Sequence, residues 1–206
     1  MIEKLIELDR DLFIWLNSLG SETYDGLWLV ITKFTSWIPV FAIILYLTFK
    51  RLGWKHALLI IGCIALLITI TDQTTNHLFK NIFQRLRPGN NPELNDIMRA
   101  VIRRKSFSFI SGHASNSMAV AFFCYRVLHP YIKNAGFFFI FPLVFAYSRI
   151  YLGLHYPGDI LAGYFWGIVT GTIMVYVYAY LRNRFFPEQK ANLDHPANSE
   201  PVANGQ

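Results

Sequence analysis

The amino-acid sequence predicts an all-α integral membrane protein, a helical bundle of about five transmembrane helices preceded by an N-terminal amphipathic helix at the membrane interface. Three observations carry this expectation. Hydrophobic residues make up 53% of the 206 and charged residues 16%, against roughly 25% charge in an ordinary soluble domain. The apolar residues gather in long runs, while the polar ones collect in one central loop and one tail. Most lysines and arginines flank the runs or sit in the central loop.

Residues 2–19 place Ile2, Leu5, Ile6, Leu12, Phe13 and Leu16 at three- and four-residue spacings between Glu3, Glu7, Asp9, Arg10 and Asp11. This pattern reads either as a helix lying on the membrane surface or as one packed against the rest of the protein. Apolar segments follow at residues 27–49, 57–76, 114–128, 135–147 and 160–181. The first, second and fifth approach the ~20 residues that cross a bilayer. The third and fourth are shorter, and their ends extend to Ser111 and Ile150. No internal repeat is visible. One membrane-embedded domain is expected over residues 1–186. Residues 187–206, rich in Pro, Asn, Glu, Gln and Ala, are expected to form a disordered tail. The two cysteines, Cys63 and Cys124, both lie in apolar stretches, so neither a disulfide framework nor a zinc site is expected. The N-terminus has no basic region followed by an apolar run and a cleavage site, so no removable signal peptide is expected.

The net charge is +6 and the pI about 9.4. Membrane topology accounts for most of this excess, and no nucleic-acid partner is expected. With five alternating spans, Lys50, Arg51, Lys55, Arg126, Lys133, Arg182 and Arg184 share one side, and the acidic N-terminal 25 residues lie on the other. The rule that positive loops stay inside then puts the N-terminus outside and the C-terminus in the cytoplasm. The central loop, residues 77–109, also falls outside, although it carries Lys80, Arg85, Arg87, Arg99, Arg103, Arg104 and Lys105. A basic loop on the disfavoured side calls for an anion. Arg99, Arg103, Arg104 and Lys105 read two ways, as solvated charge on a loop or as a surface that docks on anionic lipid and guides a head group.

Three clusters border the spans on that same face. The first runs from Lys80 to Arg87 and Pro88; seven residues are about two helical turns, so Lys80 and Arg87 are expected on one helical face before Pro88 ends it. The second is Ser111-Gly112-His113, where serine caps a helix start, glycine lets a ligand approach, and exposed N–H groups favour an anion. The third runs from Ser148 and Arg149 to His155 and Asp159. Each alone has a bland reading: snorkelling cations, a helix-end histidine, a structural His–Asp pair beside the Pro157-Gly158 turn. Their joint presence at one face makes coincidence the poorer account.

The order Lys-x6-Arg-Pro, Ser-Gly-His, Ser-Arg-x5-His-x3-Asp resembles the three-part signature of the type-2 phosphatidic acid phosphatase superfamily, which includes bacterial membrane lipid phosphatases and vanadium haloperoxidases. The resemblance covers residues 72–167, with one departure: Ile110 stands where the family usually has proline. It implies a phosphatase acting on a lipid phosphate or diphosphate at the outer face of a bacterial inner membrane. His155 would attack phosphorus, with Asp159 orienting its ring. His113 would protonate the leaving oxygen and then activate water. Lys80, Arg87 and Arg149, with N–H groups near Ser111 and Gly112, would hold the phosphoryl oxygens. Neither metal nor cofactor is expected, because this face has no carboxylate cluster suited to magnesium. The expected partners are the lipid phosphate and the membrane lipids; the oligomeric state stays open. Undecaprenyl diphosphate, phosphatidylglycerophosphate, phosphatidic acid and lipid A all fit as substrates. A vanadate-dependent oxidase is disfavoured by the spans, and a catalytically silent lipid-binding protein of the same fold by the intact set Lys80, Arg87, His113, Arg149, His155 and Asp159.

Overall fold

The computed structural model describes residues 2–187; the expected tail, apart from its first residue, lies outside them. The first helix, α1 (Ile2–Ser18), buries Phe13 and Asn17, one turn apart on a single stripe. That stripe is docked on protein, since Asn17 Nδ2 donates to the carbonyls of Ile150 and Tyr151 at 3.1 and 3.0 Å. Ile2, Leu5, Ile6 and Leu8 remain exposed on its other flank.

The first apolar run does not form one helix. α2 (Glu22–Ile31) stops at Thr32, Lys33 is extended, and a short 3-10 turn over Phe34–Trp37 leads into α3 (Ile38–Leu52). Pro39 has no N–H for an intrahelical bond, so it occurs in a first turn rather than a helix interior. Residues 27–31 therefore leave the expected first span and join α2. α3 turns through Gly53 into α4 (Trp54–Gln73), which continues through a π turn (Thr74–Phe79) and α5 (Lys80–Phe83) as one apolar stretch of 30 residues. A loop containing two 3-10 turns, Pro88–Asn90 and Pro92–Leu94, leads to α6 (Gly112–Leu128). A further 3-10 turn, Ala135–Phe139, precedes α7 (Ile140–Tyr151), and α8 (Pro157–Phe185) follows. α2 packs on α7, and α1 on both α7 and α8.

α6 is the axis of the bundle: 12 of its 17 residues are buried. It packs most closely on α8, where Gly163, Gly167 and Gly171 recur every fourth residue. A methyl group at Gly163 would stand 2.8 Å from the Ser111 carbonyl oxygen, and one at Gly167 2.6 Å from that of Ser115. Only hydrogen fits at these positions, so the two backbones meet directly, as small-residue stripes allow inside a bilayer. The contacts advance in step, Gly163 on Ala114, Gly167 on Met118 and Gly171 on Phe122. The two helices therefore run parallel and start side by side.

The main apolar core joins Leu52, Ile60, Cys63 and Leu67 to Phe123, Leu128, Met174 and Tyr178. A second core, around Phe13, Ala114, Ile150, Tyr156 and Ile160, lies under the polar end. Leu58, Ile61, Leu66, Leu161, Phe165 and Ile173 face outwards, an apolar surface that suits lipid and not water. Among the described residues three stretches, Phe34–Leu52, Trp54–Phe83 and Pro157–Phe185, are long and apolar enough to cross a membrane; α6 and α7, at the other two expected spans, are shorter. The described residues form the all-helical membrane class read from the sequence.

Candidate active site

The three motifs meet where α5 and α7 end and α6 and α8 begin. At the end of α7, Gly153 adopts φ +77°, in the region that strains any side chain. The reversal lets the Leu154 and His155 amides bond back to the Arg149 carbonyl at 2.9 and 3.3 Å, which brings His155 under the helix end. Arg149, His155 and Asp159 are all buried. Asp159 sits in the first turn of α8, where its Oδ2 accepts the Tyr156 N–H at 2.9 Å and caps the helix.

His155 Nε2 lies 2.9 Å from Arg87 Nη1. A guanidinium can only donate, so Nε2 must present its lone pair there and the ring proton must sit on Nδ1. Nδ1 faces Asp159 Oδ2 at 3.5 Å and Ser108 Oγ at 3.4 Å. The orienting contact expected between His155 and Asp159 is therefore long, and Ser108, which donates its hydroxyl to Asp159 Oδ2, fills the space beside it. Burial pushes the imidazole down to about 4; Arg87 and Arg149 add to the fall, and Asp159 opposes it. The ring is neutral at neutral pH.

Lys80 and Arg87 do not share a helical face. Gln84 takes a left-handed conformation that closes α5, and Arg87 is extended, as a residue before proline prefers to be. The two cations nevertheless converge, lying within electrostatic reach of one another and of Arg104 and Arg149. Lys80 Nζ is held by Asn76 Oδ1 at 2.6 Å. Arg87 donates to the carbonyls of Ser106 and Leu154, both at 2.8 Å, and to Ser106 Oγ at 3.0 Å. Burial, with Arg104 close by, lowers the Arg87 guanidinium to about 10, still cationic at neutral pH. Arg149 donates Nη1 to Thr32 Oγ1 and keeps Nε as a buried donor with no partner among the described residues.

Ser111 caps α6, its Oγ accepting the Ala114 N–H at 3.4 Å. Its own N–H, however, donates to the Asp159 carbonyl at 3.0 Å and is not free for phosphate. The amides left over in this first turn are those of Gly112 and His113. Gly112 has a packing reason besides ligand approach, because a methyl there would stand 3.3 Å from Thr75 Oγ1. The His113 ring lies against Phe145, with centroids 5.3 Å apart, within electrostatic reach of His155, Arg149 and Lys80.

Three further residues touch this constellation, although no motif marks them: Ser108, Arg85 and Asp9. Arg85 bridges two carboxylates, Nη1 to Asp159 Oδ1 at 2.8 Å and Nη2 to Asp9 Oδ2 at 2.7 Å. Burial alone would lower its pKa, but Asp159 and Asp9 outweigh it and raise the value. The basic loop divides. Arg99 grips both oxygens of Asp25 at 3.0 and 2.9 Å and ties α2 to the loop, with its side chain 30% exposed. Arg103 reaches Asn95 at 3.3 Å, and Arg104 joins the field around Lys80 and Arg149.

The arrangement offers a buried, neutral imidazole with its lone pair held towards a ring of cations and free helix-end amides, which suits nucleophilic attack on a phosphoryl group. Among the described residues no group of three or more His, Cys, Asp or Glu side chains stands together as metal ligands.

Residues 61–183 match the family model of the PAP2 superfamily. A lipid A 4′-phosphatase of Porphyromonas gingivalis is 32% identical over 89% of this chain and 78% of its own length. One from Bacteroides thetaiotaomicron is 35% identical over 86% of this chain and 80% of its own. The crystal structure of a transmembrane PAP2-type phosphatidylglycerolphosphate phosphatase from Bacillus subtilis superposes with a TM-score of 0.61 at 21% identity, covering 88% of both chains. With more than half its length inside the family model and two relatives above 30% identity, the chain belongs to the PAP2 superfamily.

Proposed function

We propose that this membrane phosphatase removes phosphate from lipid A at the outer face of a bacterial inner membrane, through a phosphohistidine on His155. The substrate follows the two relatives named for lipid A 4′-phosphate. The orientation follows the loop charges. The observation that carries the mechanism is the contact between Arg87 Nη1 and His155 Nε2, which leaves the attacking nitrogen unprotonated.

In the first step Arg87 moves its Nη1 donor from Nε2 to a phosphoryl oxygen, the freed lone pair forms the N–P bond as the bond from phosphorus to the lipid oxygen breaks, and His113, protonated in the presence of the phosphate's negative charge, gives that oxygen its proton. Asp159 balances the positive ring that results. In the second step His113 takes a proton from water, the water oxygen bonds phosphorus, and the N–P bond breaks to return neutral His155. Lys80, Arg87, Arg149 and the amides of Gly112 and His113 hold the equatorial oxygens and offset the charge that grows on them. With three cations in that role a divalent metal is redundant, and phosphate release should persist in excess chelator.

The test uses purified protein in chelator with lipid A, phosphatidylglycerophosphate, phosphatidic acid and undecaprenyl diphosphate, together with rapid-quench trapping of phosphoenzyme from a radiolabelled activated ester. The expected results are fastest phosphate release from lipid A, and label on wild type and on His113→Ala but not on His155→Ala. Faster turnover of another lipid would reassign the substrate. Label on His155→Ala would reassign the nucleophile, and activity that chelation abolishes and magnesium restores would overturn the metal-free step.

A further inference from the structure

We propose that α1 completes the active site, with Asp9 and Arg85 acting as positioning residues that aim Asp159, and through it His155. The inference rests on the reading in which His155 and Asp159 react as a pair.

Asp159 Oδ2 is shared by three neighbours: the Ser108 hydroxyl, the Tyr156 amide and the His155 ring. All three approach one oxygen. Arg85 holds the other, Oδ1, at 2.8 Å, so the carboxylate is anchored at both ends and cannot swing towards solvent or a rival donor. The guanidinium is itself located on two further sides. Its plane lies over the Tyr156 ring, 3.9 Å from the centroid, and its second nitrogen meets Asp9 Oδ2 at 2.7 Å. Asp9 then reaches the start of α8 with its other oxygen, Oδ1 accepting the Gly158 N–H at 2.6 Å. A methyl group at Gly158 would stand 2.8 Å from the Asp9 carboxylate, so the fit is close.

The result is a closed circuit, Asp9 to Arg85 to Asp159 and back through the first turn of α8 to Asp9. It spans three parts of the chain: α1, the loop after α5, and α8. Arginine suits the bridging place because its planar fork serves two carboxylates at once, which a lysine ammonium does less well. Arg85 also separates two like charges that would otherwise repel. Neither Asp9 nor Arg85 reaches His155, so both act through Asp159.

The test measures kcat and KM on a soluble phosphomonoester, with melting temperature in detergent, for Arg85→Gln, Arg85→Lys, Asp9→Asn, the double variant Asp9→Asn/Arg85→Gln, and His155→Ala. Misplacement of a catalytic group costs on the order of 100-fold, so Arg85→Gln is expected to lower kcat by about that factor with KM nearly unchanged. Arg85→Lys should recover part of the loss. Asp9→Asn keeps an acceptor for the Gly158 amide, and so keeps α1 docked, but withdraws charge from Arg85; a fall in kcat of roughly 10-fold is expected. In the Arg85→Gln background the same change should add almost nothing, because the circuit is already open. A purely structural role would lower the melting temperature and leave kcat per folded enzyme intact, which overturns the proposal. So would a wild-type kcat in Asp9→Asn, the variant that decides the matter if Arg85→Gln does not fold. Activity in His155→Ala would instead overturn the underlying reaction and is read separately.

Discussion

Replacing Asp159 by asparagine is the sharpest perturbation of this site, because every atom it changes faces a known partner. The carboxylate receives Arg85 on Oδ1 and Ser108 and the Tyr156 amide on Oδ2, with His155 Nδ1 at 3.5 Å. An asparagine amide must point its NH2 group at one of these sets. Towards Arg85 it meets another donor and leaves the guanidinium paired with Asp9 alone. Towards Oδ2 it meets the Tyr156 N–H and favours a proton-free Nδ1 on His155. The ring proton would then move to Nε2, where the lone pair has to attack and where Arg87 is also a donor. A wrong tautomer of a buried catalytic histidine costs about 10^4 in kcat. That is roughly 5 kcal/mol of transition-state stabilisation. The assay is steady-state turnover of a soluble phosphomonoester, paired with rapid-quench measurement of phosphoenzyme formation, which is the step expected to slow. Turnover within tenfold of wild type in a correctly folded Asp159→Asn protein would refute the claim that the carboxylate helps Arg87 to hold the Nδ1–H tautomer.

Two more expectations follow from packing and protonation. A methyl group at Gly167 meets two backbone atoms of α6 and the Cβ of Met118, 2.6 to 3.0 Å away; Gly167→Ala should cost about 1–3 kcal/mol and lower the melting temperature in detergent. No loss of stability would mean that α6 and α8 are not in backbone contact. His155 is held down to about 4, below the ~6.5 of an unfolded chain, so between those values the unfolded state binds the proton and the folded state does not. Stability is therefore full above pH ~6.5, falls as pH drops, and has lost about 3 kcal/mol by pH ~4 from this group. His155→Gln should flatten that slope between pH 7 and 4.5, and an unchanged slope would sink the assignment.

The motif residues were legible because their spacing is local: Arg149, His155 and Asp159 lie within eleven positions, and one helix end and one turn suffice to gather them. The helical membrane class was legible for the same reason, in long apolar runs. What was not legible depends on partners far away in the chain. Arg85 and Asp9 are separated by 76 residues, and no periodicity links them. Ser108 is one of several serines in its loop until the fold lays its hydroxyl on Asp159. The expected shared face of Lys80 and Arg87 failed on one residue, Gln84, whose left-handed backbone nothing in its side chain requires. The long first span failed at Lys33, whose extended backbone separates α2 from the turn that leads into α3. Asn17 docks α1 on the protein by carbonyl contacts more than 130 residues away, which no spacing within residues 2–19 announces. The glycines at 163, 167 and 171 were readable and needed only to be counted by fours.

That ladder of glycines has an electrostatic consequence. Parallel helices in backbone contact bring two ends of the same sign together, each carrying roughly half a positive charge from its aligned peptide dipoles. At α8 the carboxylates of Asp159 and Asp9 answer that charge by accepting the Tyr156 and Gly158 amides, whereas the first turn of α6 keeps the Gly112 and His113 amides. In the proposed reaction a phosphoryl group would meet that uncompensated end of α6 as well as the cations. Part of the attraction for substrate is thus stored in the main chain, where no single side-chain replacement can remove it, and each cation-to-neutral variant should retain measurable phosphate affinity.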